Sequence, residues 1–425
     1  MNVLILSLNY APEPVGIGPY SHGMATALAA AGHDVTVVCG KPYYPAWKPD
    51  PAYTGGGVRR AQEDGVAVVR VPHYVPAVPS GGKRLLHHIG FALRALPVLL
   101  AEARRRRPDV VIGVAPSLIS VVCARFVAQL MRVPFWLHVQ DFEVEAVFAT
   151  GLLPANGALT RVARWFERQA MAADRASSIS PQMCAKLAEK GFARDRIVEF
   201  RNWAQIDHIR PLERPSVLSE HWAIDRPLVA LYSGNIANKQ GIEIIIAAAR
   251  RLAHRRDLMF VICGNGPNRA RLEEQASGLD NVRFHDLQPI ELLPELLGLA
   301  DVHLLPQIAG VADLVLPSKL ANMLASGRPV VATALPGTGL AREVEDVGIV
   351  TAPEDADAFA DAIQALLDDP AERARLGDAA RRRAETRWSR ATILDRFERD
   401  LVQGVTPAAT ATAAVLSVAD PIELR

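Results

Sequence analysis

Asp313–Thr333, DLVLPSKLANMLASGRPVVAT, is the stretch whose residue types and spacing best suit gripping an anion. A short apolar run, Val302–Leu305, precedes it and ends at Pro306. Pro317 and Ser318 stand at the mouth of a predicted helix, whose apolar stripe is Leu320, Met323 and Leu324. Gly327 ends that helix, Pro329 prevents its continuation, and Val330–Ala332 read as a buried strand. The first turn of a helix carries unpaired backbone N–H groups and the positive end of the dipole, so it suits a phosphate. Ser318 can cap this turn, and Lys319 adds a movable positive charge there. A βα repeat carrying a solvated lysine would use the same residues.

Glycine loops repeat the theme. Gly16 and Gly18 lie between a strand end and a helix start, where glycine lets backbone N–H groups approach a ligand. The pattern is GIG without the remaining dinucleotide fingerprint, and no acidic residue follows at the end of a second strand, so nicotinamide-dependent hydride transfer is unsupported. Gly234, Asn235, Lys239 and Gly241 form the matching first loop of a second βα series, where a lysine could neutralise a diphosphate. Gly264-Asn265-Gly266-Pro267 ends the next strand. Several such loops on one sheet edge argue for a ligand crevice more strongly than any one does. His138 closes an apolar strand in WLHVQDFE, with Asp141 and Glu143 close behind. It can donate a hydrogen bond or act as a base near neutral pH; the alternative is a satisfied core histidine.

The elements that must position these residues follow a βα rhythm. Val3–Leu8, Val35–Val38, Val66–Val71, Val110–Val114, Phe135–Val139, Ser177–Ile179 and Ile197–Phe200 read as strands, mostly with helical segments between them. Lys41–Gly57, rich in Pro, Gly and Tyr, reads as a long loop. After a Pro-rich stretch a second series starts at Leu228. The pattern predicts an α/β chain of two tandem doubly wound domains. Residues 1–204 form the first domain, 205–226 a linker, 227–387 the second domain and 388–402 a last amphipathic helix, with a disordered tail at 403–425.

Composition narrows the functional classes. Of 425 residues half are apolar and 22% charged, which fits full globular cores, and a net charge of +1 gives no whole-protein pull toward nucleic acid. The four cysteines are scattered without metal-ligand spacing, so neither zinc nor a disulfide framework is expected. Met1 leads directly into VLILSL, which lacks a signal peptide's basic flank, and no apolar run has the length of a membrane span. Lys83–Arg107 is different. Leu85, Leu86, Ile89, Leu93 and Leu96 can share one face, flanked by Lys83, Arg84, Arg94 and Arg104–Arg107. Such a surface can meet anionic lipid; a core-packing helix with a solvated end is the plainer reading.

Together, GIGPY, HVQD, YSGNIANKQGIE, CGNGP and LPSKLANMLASGRPVVAT resemble the retaining family 4 glycosyltransferases of the GT-B fold, especially the bacterial branch that builds colanic acid, O-antigen and other exopolysaccharides. The resemblance runs from Met1 to about Val402 and implies that the helix from Trp388 crosses back onto the first domain. It implies that the second domain binds a nucleotide diphosphate sugar and the first a glycan acceptor, here expected to be polyprenyl-linked. The diphosphate would meet Asn235, Lys239 and the Pro317–Ser318–Lys319 helix start; Gly16, Gly18 and Gly264 would line the donor. The base would lie against His285 and Leu287, and His138 beside the donor sugar, with Asp141 holding its tautomer or touching acceptor. Many relatives carry two glutamates where this chain has Leu314 and Asn322; Asn322 could still bond the ribose, and Asp313 could replace the first glutamate. No DxD-like pair stands in a donor loop, and the resemblance implies metal-independent transfer with no cofactor, in an enzyme expected in the cytoplasm. Two alternatives share this fold: a nucleotide-sugar 2-epimerase, which needs acid/base carboxylates in its cleft, and an inactive partner subunit.

Overall fold

The computed structural model describes all residues except 79–80, 143–157, 205, 207, 237–239, 309–317 and 406–425, and at 81, 158–160, 162–164 and 318 it describes backbone alone. The expectations for Glu143, Lys239, Asp313, Leu314 and Pro317, and for the tail past residue 405, lie outside the described residues. The chain forms two units, Met1–Phe200 with the segment from Leu394 onward, and Arg201–Ile393.

The first unit is an eight-stranded sheet in the order β3-β4-β2-β1-β5-β6-β7-β8. Its strands are β1 (Asn2–Ser7), β2 (Asp34–Gly40), β3 (Arg59–Glu63), β4 (Val66–Val71), β5 (Val110–Ala115), β6 (Phe135–Val139), β7 (Arg175–Ser178) and β8 (Ile197–Glu199). The helices between them are α1 (Gly18–Ala30), α2 (Gly81–Arg106), α3 (Leu118–Met131), α4 (Ala158–Met171) and α5 (Pro181–Glu189). Strands β4 and β5 are buried at every position, as a parallel sheet covered on both faces requires. Each Val, Leu or Ile so buried contributes about 1.5–3 kcal/mol, so these runs dominate the drive to fold.

Among the described strands only β3 pairs antiparallel, on β4. The apolar pattern placed no strand between Val38 and Val66, because the sequence of β3, RRAQE, is polar and lies on the edge. The Asp64-Gly65 turn was the available signal. Both residues have positive φ, +48° and +80°, as a two-residue hairpin turn of right-handed twist demands.

The second unit has six parallel strands in the order β11-β10-β9-β12-β13-β14. These are β9 (Leu228–Ser233), β10 (Leu258–Cys263), β11 (Val282–His285), β12 (Val302–Leu305), β13 (Val330–Thr333) and β14 (Gly348–Thr351). Its helices are α6 (Val217–His221), α7 (Glu243–Arg251), α8 (Arg269–Gln275), α9 (Leu293–Gly298), α10 (Ser318–Ala325), α11 (Gly339–Val344), α12 (Ala356–Asp368) and α13 (Pro370–Trp388). The last helix, α14 (Arg390–Val405), returns to the first unit from Leu394. There Phe397 stacks on Phe200 at 4.1 Å and meets Trp136 edge-on at 5.6 Å. Aromatic pairs of this kind add about 0.5–1.5 kcal/mol each beyond their buried area.

Helix α2 buries Phe91, Ala92, Ala95, Leu99 and Ala103 in the first unit's core. It is long and apolar enough to span a membrane, a property that core helices share. Its other side leaves Leu85, Leu86 and Leu93 in solvent, and Leu93 is 69% exposed.

Candidate functional site

In the second unit β9 lies between β10 and β12, so the chain leaves β9 in one direction and later returns on its other side. A crevice opens outside the carboxyl ends of strands at such a reversal. Here the strand ends are joined beyond their ladders. Gly234 N donates to Cys263 O at 2.9 Å, Gly264 N to His285 O at 2.9 Å, and Ile236 N to Asn265 O at 2.9 Å. Gly264 has φ +156°, and a Cβ placed on it would sit 1.8 Å from Gly234 O. Any side chain there would displace backbone, so glycine is the only residue that fits. Gly234, Asn235, Gly264 and His285 therefore share one edge, with Asn235 exposed at its front.

Lys319 lies in the first turn of α10, which starts at Ser318. Its side chain crosses Gly234, within 3.6 Å of where a Cβ would stand, and its Nζ sits 4.1 Å from the centre of the Tyr232 ring. Tyr232 is fully buried at the end of β9 and donates its hydroxyl to Asn235 O at 2.6 Å. Among the described residues no carboxylate pairs with Lys319. Burial pushes its amine down to about 7. The sequence suggested a movable surface charge; the fold holds the amine against an aromatic face instead, so protonation near neutral pH is incomplete. A polyanion arriving at this helix start would supply the missing counter-charge. Further along α10, Asn322 Oδ1 is buried with no hydrogen-bond partner among the described residues.

His285 ends β11, and its ring stacks on Trp222 at 3.8 Å and 9°. Its Nε2 is buried without a hydrogen-bond partner among the described residues, and burial, then the Arg269 and Arg283 cations, hold the ring below the usual histidine range. Leu287 is 64% exposed beside it. Arg269 bonds Gly264 O at 3.1 Å and Asn265 Oδ1 at 2.7 Å, and it pairs with Asp286, which ties the glycine loop to the end of β11.

In the first unit Gly16 and Gly18 follow β1, which lies between β2 and β5 at that sheet's own reversal. Gly16 has φ +76° and packs beneath Tyr44, whose ring would be 3.0 Å from a Cβ. Gly18 is the first residue of α1. Glu13 is buried beneath this loop; it accepts Tyr43 N and Tyr44 N at 3.1 Å and Asn9 Nδ2 at 2.9 Å.

His138 is on β6 and is 2% exposed. Gln140 Nε2 lies 2.9 Å from its Nε2, and Ser177 Oγ 2.9 Å from its Nδ1. With the Gln140 amide nitrogen donating to Nε2, the neutral ring carries its proton on Nδ1 and gives it to Ser177. Ser177 Oγ also accepts Trp136 Nε1–H at 2.9 Å. Burial pushes His138 down to about 3, so the ring is uncharged through the physiological range. Asp141, just past the strand, is exposed.

The fold thus gathers Gly234, Asn235, Gly264, His285 and Lys319 along one edge of the second unit, while Gly16, Gly18, His138 and Asp141 belong to the first. Tyr232, Trp222, Glu13 and Arg269 were not singled out from sequence. Tyr232, the aromatic in LYSGN two residues before Gly234, was the legible one.

Residues 15–203 match the glycosyl transferase 4-like domain, and residues 218–383 match the glycosyl transferases group 1. WcaI of Escherichia coli (strain K12), a glycosyl transferase assigned to colanic acid biosynthesis, is 38% identical over 94% of this chain and 100% of its own. Among solved structures, Anabaena HepE in complex with UDP superposes with a TM-score of 0.69 at 16% identity, over 95% of this chain and all of that one. Sucrose-phosphate synthase from Thermosynechococcus elongatus gives 0.67 at 19% identity, over 95% and 98%.

Proposed function

The chain belongs to the family 4-type glycosyltransferases of the GT-B fold, and from this premise we propose that it moves a sugar, with retention, from a nucleotide diphosphate sugar to a lipid-linked glycan in colanic acid-type polysaccharide assembly. The observation that carries the donor part is Lys319, an amine without a carboxylate partner among the described residues, held at the start of α10 beside Gly234. The diphosphate meets Asn235, Lys239 and the Pro317–Lys319 turn. The ribose reaches Asn322 Oδ1, which has no hydrogen-bond partner among the described residues, and the base lies by His285 and Leu287. Asp313 takes the donor-sugar hydroxyls.

As the diphosphate departs, negative charge grows on its oxygens and the sugar gains oxocarbenium character. Lysines and N–H groups aimed at the phosphates stabilise that charge without a metal ion, and more strongly in the transition state than before it. With no nucleophile assigned, the acceptor attacks from the face the diphosphate leaves, and a phosphate oxygen takes its proton. A neutral imidazole tolerates a developing positive charge better than an imidazolium, and the burial of His138 supports that part of the reading. For His138 to bind a sugar hydroxyl, the Gln140 amide must release Nε2. Asp141, exposed beyond it, meets the acceptor.

The acceptor's lipid places the work at the cytoplasmic face of the inner membrane. Leu85, Leu86 and Leu93, exposed between Lys83, Arg84 and Arg94, support a docking face for anionic lipid.

The test is a thermal-shift panel of UDP-, GDP- and ADP-sugars, followed by turnover of the stabilising donor with and without a polyprenyl-linked acceptor. Transfer to the acceptor is expected. A sugar inverted at C2 without acceptor would make the chain an epimerase, and no stabilisation by any donor would make it an inactive subunit.

A further inference from the structure

Two loops of the first unit meet at the carboxyl ends of β1 and β2, and a buried carboxylate joins them. Glu13, in the loop after β1, is 4% exposed. Its Oε1 accepts both Tyr43 N and Tyr44 N at 3.1 Å, and its Oε2 accepts Asn9 Nδ2 at 2.9 Å. Burial pushes the group above the usual carboxylate range, while the three donors favour its ionised form. Among the described residues no cation offsets its charge. A carboxylate buried in this way is costly unless hydrogen bonds fix it, and these bonds fix the backbone at Tyr43 and Tyr44.

Tyr44 is thereby given a defined place. Its ring lies against Gly16, where a Cβ would stand 3.0 Å from Cε1. Behind it the Tyr43 ring packs edge-on to Trp47 at 5.4 Å, His73 at 5.4 Å and His87 at 4.6 Å. The loop also closes on itself, with Lys48 N donating to Tyr43 O at 3.2 Å and Asp50 N to Pro42 O at 2.9 Å. Even so, Tyr44 is 36% exposed, and Val15 beside Gly16 is 48% exposed. A ring already held in place loses little freedom on binding. Left open at the ligand edge of a parallel sheet, it suits a partner that is apolar on one face and polar at its rim.

We propose that Tyr44 is the stacking platform for a pyranose ring of the acceptor glycan, and that Glu13 is the positioning residue that holds it there. A pyranose carries C–H bonds on its faces and hydroxyls around its rim, so one face lies on an aromatic ring while the hydroxyls stay in water. The proposal rests on the glycan-acceptor reading above and deepens it. The surroundings favour an uncharged ring over a phosphate. The Glu13 carboxylate beneath the loop repels an anion. Burial holds His73 at about 4 and His87 below the usual histidine range, so neither supplies a cation at neutral pH. Arg84 lies over the Trp47 ring at 5.2 Å, and Lys41 donates to Gly55 O at 2.6 Å.

The experiment is saturation-transfer-difference NMR of the full chain with methyl glycosides of glucose, galactose, mannose and N-acetylglucosamine, titrated to give affinities. Binding of UDP, GDP and ADP is followed alongside by thermal shift. Wild type should transfer saturation to the C–H protons on one ring face of at least one glycoside. Tyr44→Leu should weaken that glycoside about 2- to 10-fold, the range for one aromatic contact, and leave nucleotide binding as it is. Tyr44→Phe keeps the ring and should keep the affinity. Glu13→Ala releases the loop and should lose as much affinity as Tyr44→Leu. Glu13→Gln still accepts the two backbone N–H groups and should recover most of that loss. Because Glu13 acts through Tyr44, the double variant Glu13→Ala with Tyr44→Leu should bind no more weakly than Tyr44→Leu alone. A merely structural carboxylate would lower Tm and leave glycoside affinity unchanged.

Wild-type glycoside affinity in Tyr44→Leu, displacement of the glycoside by inorganic phosphate, or no saturation transfer to any glycoside overturns the platform, and nucleotide binding in the same samples keeps the donor-site reading. Losses that multiply in the double variant overturn the role of Glu13. A wild type that binds a glycoside through Tyr44 but none of the three nucleotides removes the donor-site reading and leaves the platform standing. The Tyr44 variants alter an exposed ring and decide the question even if Glu13→Ala does not fold.

Discussion

Replacing His138 by phenylalanine keeps an aromatic ring of similar size and removes both ring nitrogens. At pH 7.5 the variant loses the bond to Ser177 Oγ and the bond from Gln140 Nε2, each 2.9 Å long in the wild type. Two neutral buried hydrogen bonds contribute about 2 kcal/mol net. Acid reverses the ranking. The wild-type ring stays neutral in the fold down to about 3, whereas in the unfolded chain it titrates near the ordinary 6.5. Because the unfolded state binds more protons between those values, wild-type stability falls with pH from the unfolded value toward the folded one. The fall is about 1.4 kcal/mol per pH unit, or about 2 kcal/mol at pH 5. Phenylalanine carries no such penalty. The stability difference should therefore shrink from about 2 kcal/mol at pH 7.5 to about zero at pH 5, with the variant the more stable at pH 4. Urea unfolding followed by far-UV circular dichroism at these pH values measures it, using the transition that includes the first unit. A difference that stays constant with pH refutes the neutral buried imidazole. Turnover at pH 7.5, where both proteins are folded, addresses the chemistry. A ring that acts on the sugar predicts a large loss of kcat with nucleoside diphosphate affinity unchanged, whereas wild-type kcat would leave His138 a core residue holding the end of β6.

Gly264→Ala forces a Cβ to within 1.8 Å of Gly234 O, so the linked loops must separate; nucleotide affinity should fall at least 10-fold and Tm with it, and an unaltered titration would show that these loops do not form the donor edge. Leu86→Asp with Leu93→Asp exposes charge where leucines now face solvent; sedimentation with anionic vesicles should be lost while turnover of a soluble acceptor analogue is kept, and undiminished sedimentation would leave α2 a core helix with a solvated side. Adding EDTA to the transfer reaction should leave kcat within about twofold, as expected when lysines and N–H groups stabilise the diphosphate; loss of activity restored by a divalent cation would overturn metal independence.

Local chemistry made the fold legible from sequence. A strand buried on both faces must be apolar throughout, as in Val66–Val71 and Val110–Ala115, and glycines had to stand where the chain turns into a helix beside another backbone, as at Gly264. The order of strands and helices followed, as did the family, because its motifs are runs of neighbouring residues. Edge strand β3 escaped because an exposed edge needs no apolar alternation. The states of the side chains were decided by tertiary structure alone. Lys319 reads as a solvated cation until Tyr232, from strand β9, lies under it. His138 reads as a base at a strand end until Ser177, 39 residues away, and Gln140 occupy its nitrogens. His285 is a strand terminus until Trp222, from the Pro-rich segment, covers its ring. Propensity and periodicity act over a few residues and are written in the chain. Desolvation and hydrogen-bond partnership depend on which distant residues packing brings together, and they set charge and reactivity only once the fold is complete.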